Sequence, residues 1–300
     1  MQHQGTGLFI LSSSSEGILS SRSAGPNISQ LGIFNMTESG QTEFRQMLNK
    51  VPAVTLGFWI VKIMATTVGE TGADYLAVNI GWGTAATSIV MALLLCGILL
   101  IQFKSDRYIP WVYWLSVVLI SIVGTQITDI LTDKLEVSLY VSTAVFSISL
   151  AAIFALWYRT EKTLSVHTIV TRRREIFYWS AILCTFALGT AAGDLATEAL
   201  GLGFKLGVVI FGASIAATGL AYRFGLNSVL AFWIAYILTR PLGASLGDLL
   251  SQSQEYGGLG LGTIKTSVLF LSIIIALVAA FSVNQLRRQK LETKTRRSLS

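Results

Sequence analysis

Apolar residues fall into eight long runs, at about 53–74, 82–103, 109–130, 137–158, 175–197, 203–222, 226–248 and 262–284, each bounded by charge, glycine or proline. A helix needs about 20 mainly apolar residues to cross the hydrocarbon core of a bilayer. The alternating pattern of an outer-membrane barrel strand is absent. The pattern therefore predicts an all-α polytopic membrane protein with eight transmembrane helices. The start of the chain reads differently. Residues 11–23 are mostly serine, and no apolar period is sustained before residue 50. Such a segment cannot bury enough apolar surface to order itself. It also lacks the basic start and apolar core of a signal peptide. Residues 1–50 are expected to form a disordered extension, with Met36 and Met47 as alternative initiators.

Comparison of the chain with itself shows an internal repeat. Trp59, Trp114, Trp179 and Trp233 each follow an aromatic residue, namely Phe58, Tyr113, Tyr178 and Phe232. Ten residues after each tryptophan stands a glycine, at Gly69, Gly124, Gly189 and Gly243. Five residues further stands an aspartate, at Asp74, Asp129, Asp194 and Asp248. The pattern aromatic-Trp-x9-Gly-x4-Asp thus recurs four times, always on an odd-numbered helix. Each unit holds two spans, so all units share one orientation and are parallel repeats. The expected units are 51–106, 107–171, 172–224 and 225–286, followed by a basic tail at 287–300.

These motifs, with the segments TTVGETGADYL at 66–76 and TRPLGASLGDLL at 239–250, resemble a family of bacterial membrane proteins. Its members are built from four tandem copies of a repeat of unknown function, each with two transmembrane segments and a characteristic tryptophan. The resemblance covers about residues 51–286. It implies a four-repeat, inner-membrane architecture and supplies no activity.

Composition sharpens the class. Charged residues make up 13% of the chain and hydrophobic ones 52%, against about a quarter charged in soluble proteins. That excludes an ordinary cytosolic enzyme and a disulfide-stapled module. Cys96 and Cys184 lie in apolar runs and read as small hydrophobes. The net charge of +6 has a topological meaning. Sixteen Lys and Arg residues, among them Arg45, Lys50, Lys104, Arg107, the run Arg172-Arg173-Arg174 and the C-terminal tail, fall on one side of the predicted spans. Lys134, Lys205, Arg240 and Lys265 fall on the other. The positive-inside rule then puts both termini in the cytoplasm. The bases meet anionic lipid, and no nucleic-acid partner is expected.

The motif carries the candidate chemistry. Each glycine lies four residues before another small residue (Gly69/Ala73, Gly124/Thr128, Gly189/Gly193 and Gly243/Gly247). That spacing lets helix backbones approach closely in lipid. The tryptophans start their helices where an indole suits the headgroup interface, and read as anchors or packing residues. Asp74, Asp129, Asp194 and Asp248 lie about 22 Å from the tryptophans along a helix, hence towards the outer leaflet. Glu70/Asp74, Asp129/Asp133 and Asp194/Glu198 place second acids at a four-residue spacing where like charges repel. Two readings stand side by side. The aspartates cap helix ends or meet water, or they gather at one mouth and bind a proton or a hard cation such as Mg²⁺, Ca²⁺ or Mn²⁺ through oxygen alone. Asp133 and Glu198 read as solvated loop residues.

Two bases break the repeat. Lys62 is expected to snorkel to the cytoplasmic interface. Arg240, followed by the kinking Pro241, is expected to pair with Glu70 or Asp74 and close the first repeat against the last. No enzyme signature is present: His3 and His167 lie outside the spans, and GGLGLG at 257–262 reads as a loop. No cofactor is expected. The leading expectation is an inner-membrane permease for a small solute, an inorganic cation held by Glu70 and the four aspartates. The alternative is a scaffold or sensor that binds another membrane protein or anionic lipid.

Overall fold

The computed structural model describes residues 49–78 and 83–299. Residues 1–48, and with them most of the expected disordered extension and both alternative initiators, lie outside the described residues. Among the described residues there is no strand, and eight long helices follow one another. They are α1 (Leu56–Val78), α2 (Gly83–Lys104), α3 (Pro110–Asp129), α4 (Leu139–Glu161), α5 (Arg172–Asp194), α6 (Gly203–Arg223), α7 (Ser228–Ser251) and α8 (Thr263–Leu299). The basic tail is thus the continuation of the last helix.

The starts of these helices follow local chemistry. Pro110 opens α3, where its missing N–H removes no helical bond. Thr171 and Asn227 cap α5 and α7 by accepting from backbone N–H groups of the first turn. Pro241 lies inside α7, which runs through it. After Asp129 and Asp194 the chain widens into single π-helical turns, Ile130–Lys134 and Leu195–Ala199.

Seven of the helices are long and apolar enough to cross a membrane. The exception is α1, which carries Lys62, Glu70 and Asp74 along its length. The expectation that residues 53–74 are apolar enough to span on composition alone is therefore corrected. The physical reason is position: α1 is packed by α3, α7 and α8, so its charges meet protein and not lipid.

The odd helices form the interior. They touch in the closed order α1–α3–α5–α7–α1. The even helices lie outside, and each docks chiefly on the inner helix of the next repeat: α2 on α3, α4 on α5, α6 on α7, and α8 back on α1. Each inner helix is packed more by the preceding repeat's outer helix than by its own, so the four interlock. Association in lipid rests on close packing and interhelical hydrogen bonds, and both recur around the ring. A Cβ on Gly69 would overlap the Ser121 side chain of α3, and one on Gly124 would meet Phe186 of α5. A Cβ on Gly189 would meet Arg240 of α7, and one on Gly243 would meet Thr66 of α1. Thr128 donates to the Ala187 carbonyl at 3.1 Å, and Thr67 to the Gly243 carbonyl at 3.2 Å.

Two corrections concern the tryptophan end. Trp114, Trp179 and Trp233 are 2%, 3% and 4% exposed, so they are packing residues and not headgroup anchors; Trp59 is half-buried. Each aromatic residue that precedes a tryptophan packs on the tryptophan of the next inner helix. Ring centroids are 5.6 Å apart for Phe58–Trp114, 5.5 Å for Tyr113–Trp179, 6.4 Å for Tyr178–Trp233 and 5.6 Å for Phe232–Trp59. The aromatic-Trp pair is thus a cyclic clasp. Second, Asn49 and Lys50 belong to the folded body. Lys50 makes a buried ion pair with Glu175 at 2.8 Å, Gln102 donates to the same carboxylate at 3.0 Å, and Asn49 donates to the Val166 carbonyl at 3.2 Å.

Candidate functional site at the aspartate end of the inner ring

The residue after each motif glycine is Glu70, Thr125, Thr190 or Ala244. One side chain, Arg240 from the turn before Gly243, reaches the first three. Its Nη2 donates to Glu70 Oε2 at 2.7 Å, to Thr190 Oγ1 at 2.7 Å and to the Thr125 hydroxyl. Its Nη1 donates to the Thr66 carbonyl at 3.0 Å. Arg240 therefore ties α7 to α1, α3 and α5 at once, with 1% of its surface exposed. The expected pairing partner is Glu70; Asp74 lies within Coulombic reach of Arg240 but makes no ion pair with it. Thr125 also donates to Glu70 Oε2 at 3.3 Å. The two threonines were missed by sequence reasoning, although their shared register with Glu70 was a usable signal.

One turn further on lie the four aspartates. Asp248 is 8% exposed, and Asp74, Asp129 and Asp194 are half-buried. Each carboxylate is within Coulombic reach of its neighbours around the ring: Asp74 with Asp129, Asp129 with Asp194, Asp194 with Asp248, and Asp248 with Asp74. Glu70 acts on all four. Asp133 and Glu198 are exposed, yet both act electrostatically on the ring. Asp129 and Asp194 do not cap the π-helical turns that follow them. The four are gathered at one end of the inner ring, but not tightly. Among the described residues no group of three or more His, Cys, Asp or Glu side chains is close enough to hold a metal ion. The expected metal centre of Asp74, Asp129, Asp194 and Asp248 is corrected accordingly. The ring spreads the carboxylates over four helix ends and not into a compact coordination sphere.

Lys62 also departs from expectation. It does not snorkel; it is 1% exposed, with Nζ 3.9 Å above the Phe186 ring and 4.4 Å above the Tyr236 ring. Its long stem starts on an inner helix, so the path towards the interface is filled by Tyr236 and its aromatic neighbours. The remaining candidates behave as read. Cys184 donates weakly to the Phe146 carbonyl, Cys96 is exposed on an outer helix, His167 is an exposed turn residue, and residues 257–262 form a loop.

An all-helical, multi-pass membrane bundle made of tandem repeats is the class that this fold and its inner ring define. The chain belongs to the family described as Repeat of Unknown Function (DUF347), whose model matches four times, at residues 57–108, 112–163, 177–225 and 231–286. No curated protein matches the chain, and no solved structure does.

Proposed function

We propose that the protein is a permease for a small solute, with an inorganic cation admitted at the aspartate end of the inner ring. The observation that carries this reading is the ring of Asp74, Asp129, Asp194 and Asp248 set one turn above the buried Arg240–Glu70 pair. Converging carboxylates with low-dielectric walls focus field lines and raise the local cation concentration. Ionisable groups inside a membrane bundle mark ion pathways. Glu70 is shared between the two parts: it feels all four aspartates and is held by Arg240. A proton or hydrated cation arriving at the mouth competes with Arg240 for Glu70, and loss of that pair removes the charged bond between α7 and α1 from the Arg240 network. The positive-inside distribution of bases supports a mouth that faces away from the cytoplasm of a bacterial inner membrane, with both termini inside.

The test is flux into proteoliposomes of the purified full chain, with Mn²⁺, Mg²⁺ and a pH dye as probes. Replacing the four aspartates by asparagine together is expected to lower cation flux at least tenfold. Glu70→Gln is expected to do the same with the mouth intact. Flux equal to wild type in both variants removes the reading.

A further inference from the structure

Two bases of the inner ring, Lys62 and Arg240, stand beside one bonded acid, Glu70. Lys62 and Arg240 approach the same aromatic side chain, Phe186, at 3.9 Å for Lys62 Nζ and 5.5 Å for the guanidinium carbon. They are within Coulombic reach of one another. Glu70 is the acid bonded here, and it is already occupied by Arg240 and Thr125. Lys62 Nζ is buried with no hydrogen-bond partner, as are the Tyr236 hydroxyl and Arg240 Nε. Each of these side chains is 1% exposed. The hydroxyls of Tyr113 and Tyr178 bond one another at 2.6 Å. At the Lys62 level, Val117 and Ile182 fill the other two helices and offer no acceptor. The aromatic faces attract an ammonium, yet they take none of its protons in a conventional hydrogen bond.

Buried polar groups are normally satisfied, and a buried charge without a partner is expensive. The missing partner of Lys62 accepts hydrogen bonds, and beside a protonated Lys62 it also carries negative charge. Water accepts but does not neutralise. The Phe186 and Tyr236 rings lie 3.9 and 4.4 Å from the ammonium and favour a small anion over a bulky one. We infer that a small monovalent anion of halide type binds inside the inner ring between Lys62, Tyr236 and Arg240. The anion balances the second cation and satisfies donors that no protein group reaches. It lies deeper than the aspartate mouth and is chemically its opposite, so binding there does not depend on cation flux.

Thermal unfolding of the full chain in detergent tests this, at fixed ionic strength, with sodium gluconate replaced stepwise by sodium chloride or bromide. A ligand that binds the folded state alone raises the melting temperature along a saturating curve. The expected result is such a rise for both halides, with Lys62→Met losing the response or shifting half-saturation at least tenfold, and Lys62→Arg keeping it. Line broadening of ³⁵Cl by wild-type protein, reversed by bromide, gives a second readout that needs no variant to fold. Equal halide responses in wild type and Lys62→Met overturn the inference, and so does a wild-type protein with neither response nor broadening. A protein that binds halide through Lys62 yet passes no cation defeats the proposed function and leaves this site standing.

Discussion

Inner and outer helices reverse the rule learned from soluble proteins. The spans of α3, α5 and α7 are 61–67% buried and have mean hydropathy 1.5–1.7. Those of α2, α4 and α8 are 11–22% buried and reach 2.1–2.5, while α6 is 6% buried at 1.7. The most buried helices are thus not the most apolar ones. Lipid is itself an apolar solvent, so an outward leucine gains nothing by moving inward. What moves inward is whatever lipid tolerates least: Glu70, Arg240, Lys62 and the threonines that bond them. The inner ring is held by directional contacts, the outer layer by solvation in lipid, and substitutions in the two layers should differ in sign as well as size.

The largest effect is expected at Arg240. Removing one partner of a buried ion pair costs about 3–5 kcal/mol, because the other charge is left alone. Arg240→Met should therefore lower stability by about that much, read as a fall in the denaturant midpoint of the purified protein. Replacing both partners by apolar groups is often close to neutral, so Arg240→Met combined with Glu70→Met should recover most of the loss. A single variant no worse than a lipid-facing substitution would erase the distinction between the layers.

Second comes the glycine seam. A Cβ on Gly243 would overlap the Thr66 side chain and lie 3.1 Å from the Thr67 backbone nitrogen. Overpacking at a tight contact costs about 1–3 kcal/mol. Gly243→Ala should fall in that range, with the loss read in the same unfolding assay. Gly69→Ala should be felt in the same way, since Ser121 stands opposite it with its backbone 3.0 Å from the added carbon.

How much of this was written in the sequence depends on the layer. The eight helices, the four units and the recurrence of tryptophan, glycine and aspartate were legible because each repeat uses the motif alike. The pairing of Arg240 with Glu70 was legible too, since a buried guanidinium wants a carboxylate. Burial of the tryptophans was not, because a helix start is at the interface on every helix, inner or outer. Nor was the place of Lys62: snorkelling assumes a free path, and Tyr236, distant in sequence, closes it. The buried pair of Lys50 with Glu175 was hidden for a related reason, as Lys50 reads like any loop base until residues 166–169 are seen to fold over it. The metal reading lacks a compact ligand set among the described residues. Register places four aspartates at one level, but spacing around a ring depends on helix separation, which no single helix encodes.

A smaller effect is expected at the tryptophan end. Trp233 Nε1 donates to the Leu164 carbonyl at 3.0 Å, tying α7 to the loop after α4. Trp233→Phe keeps much of the aromatic contact with Tyr178, Phe154 and Trp157 and removes that bond. A typical net hydrogen bond is worth about 0.5–1.5 kcal/mol, and the loss of stability should lie there. A loss above the cost of Gly243→Ala would mean that the aromatic clasp, and not the glycine seam, holds the ring.

The smallest effect should carry the opposite sign. Gly97 lies on α2, exposed, with nothing within 4 Å of an added Cβ. Its only consequence is conformational: glycine within a helix costs about 0.5–1 kcal/mol relative to alanine. Gly97→Ala is therefore expected to raise stability by about that amount, while the same change at Gly243 lowers it. Both substitutions add one methyl group to one helical glycine, so propensity contributes equally and the difference between them isolates the neighbour. Should Gly97→Ala destabilise as Gly243→Ala does, the outer face of α2 must be covered by something packed as closely as an inner helix.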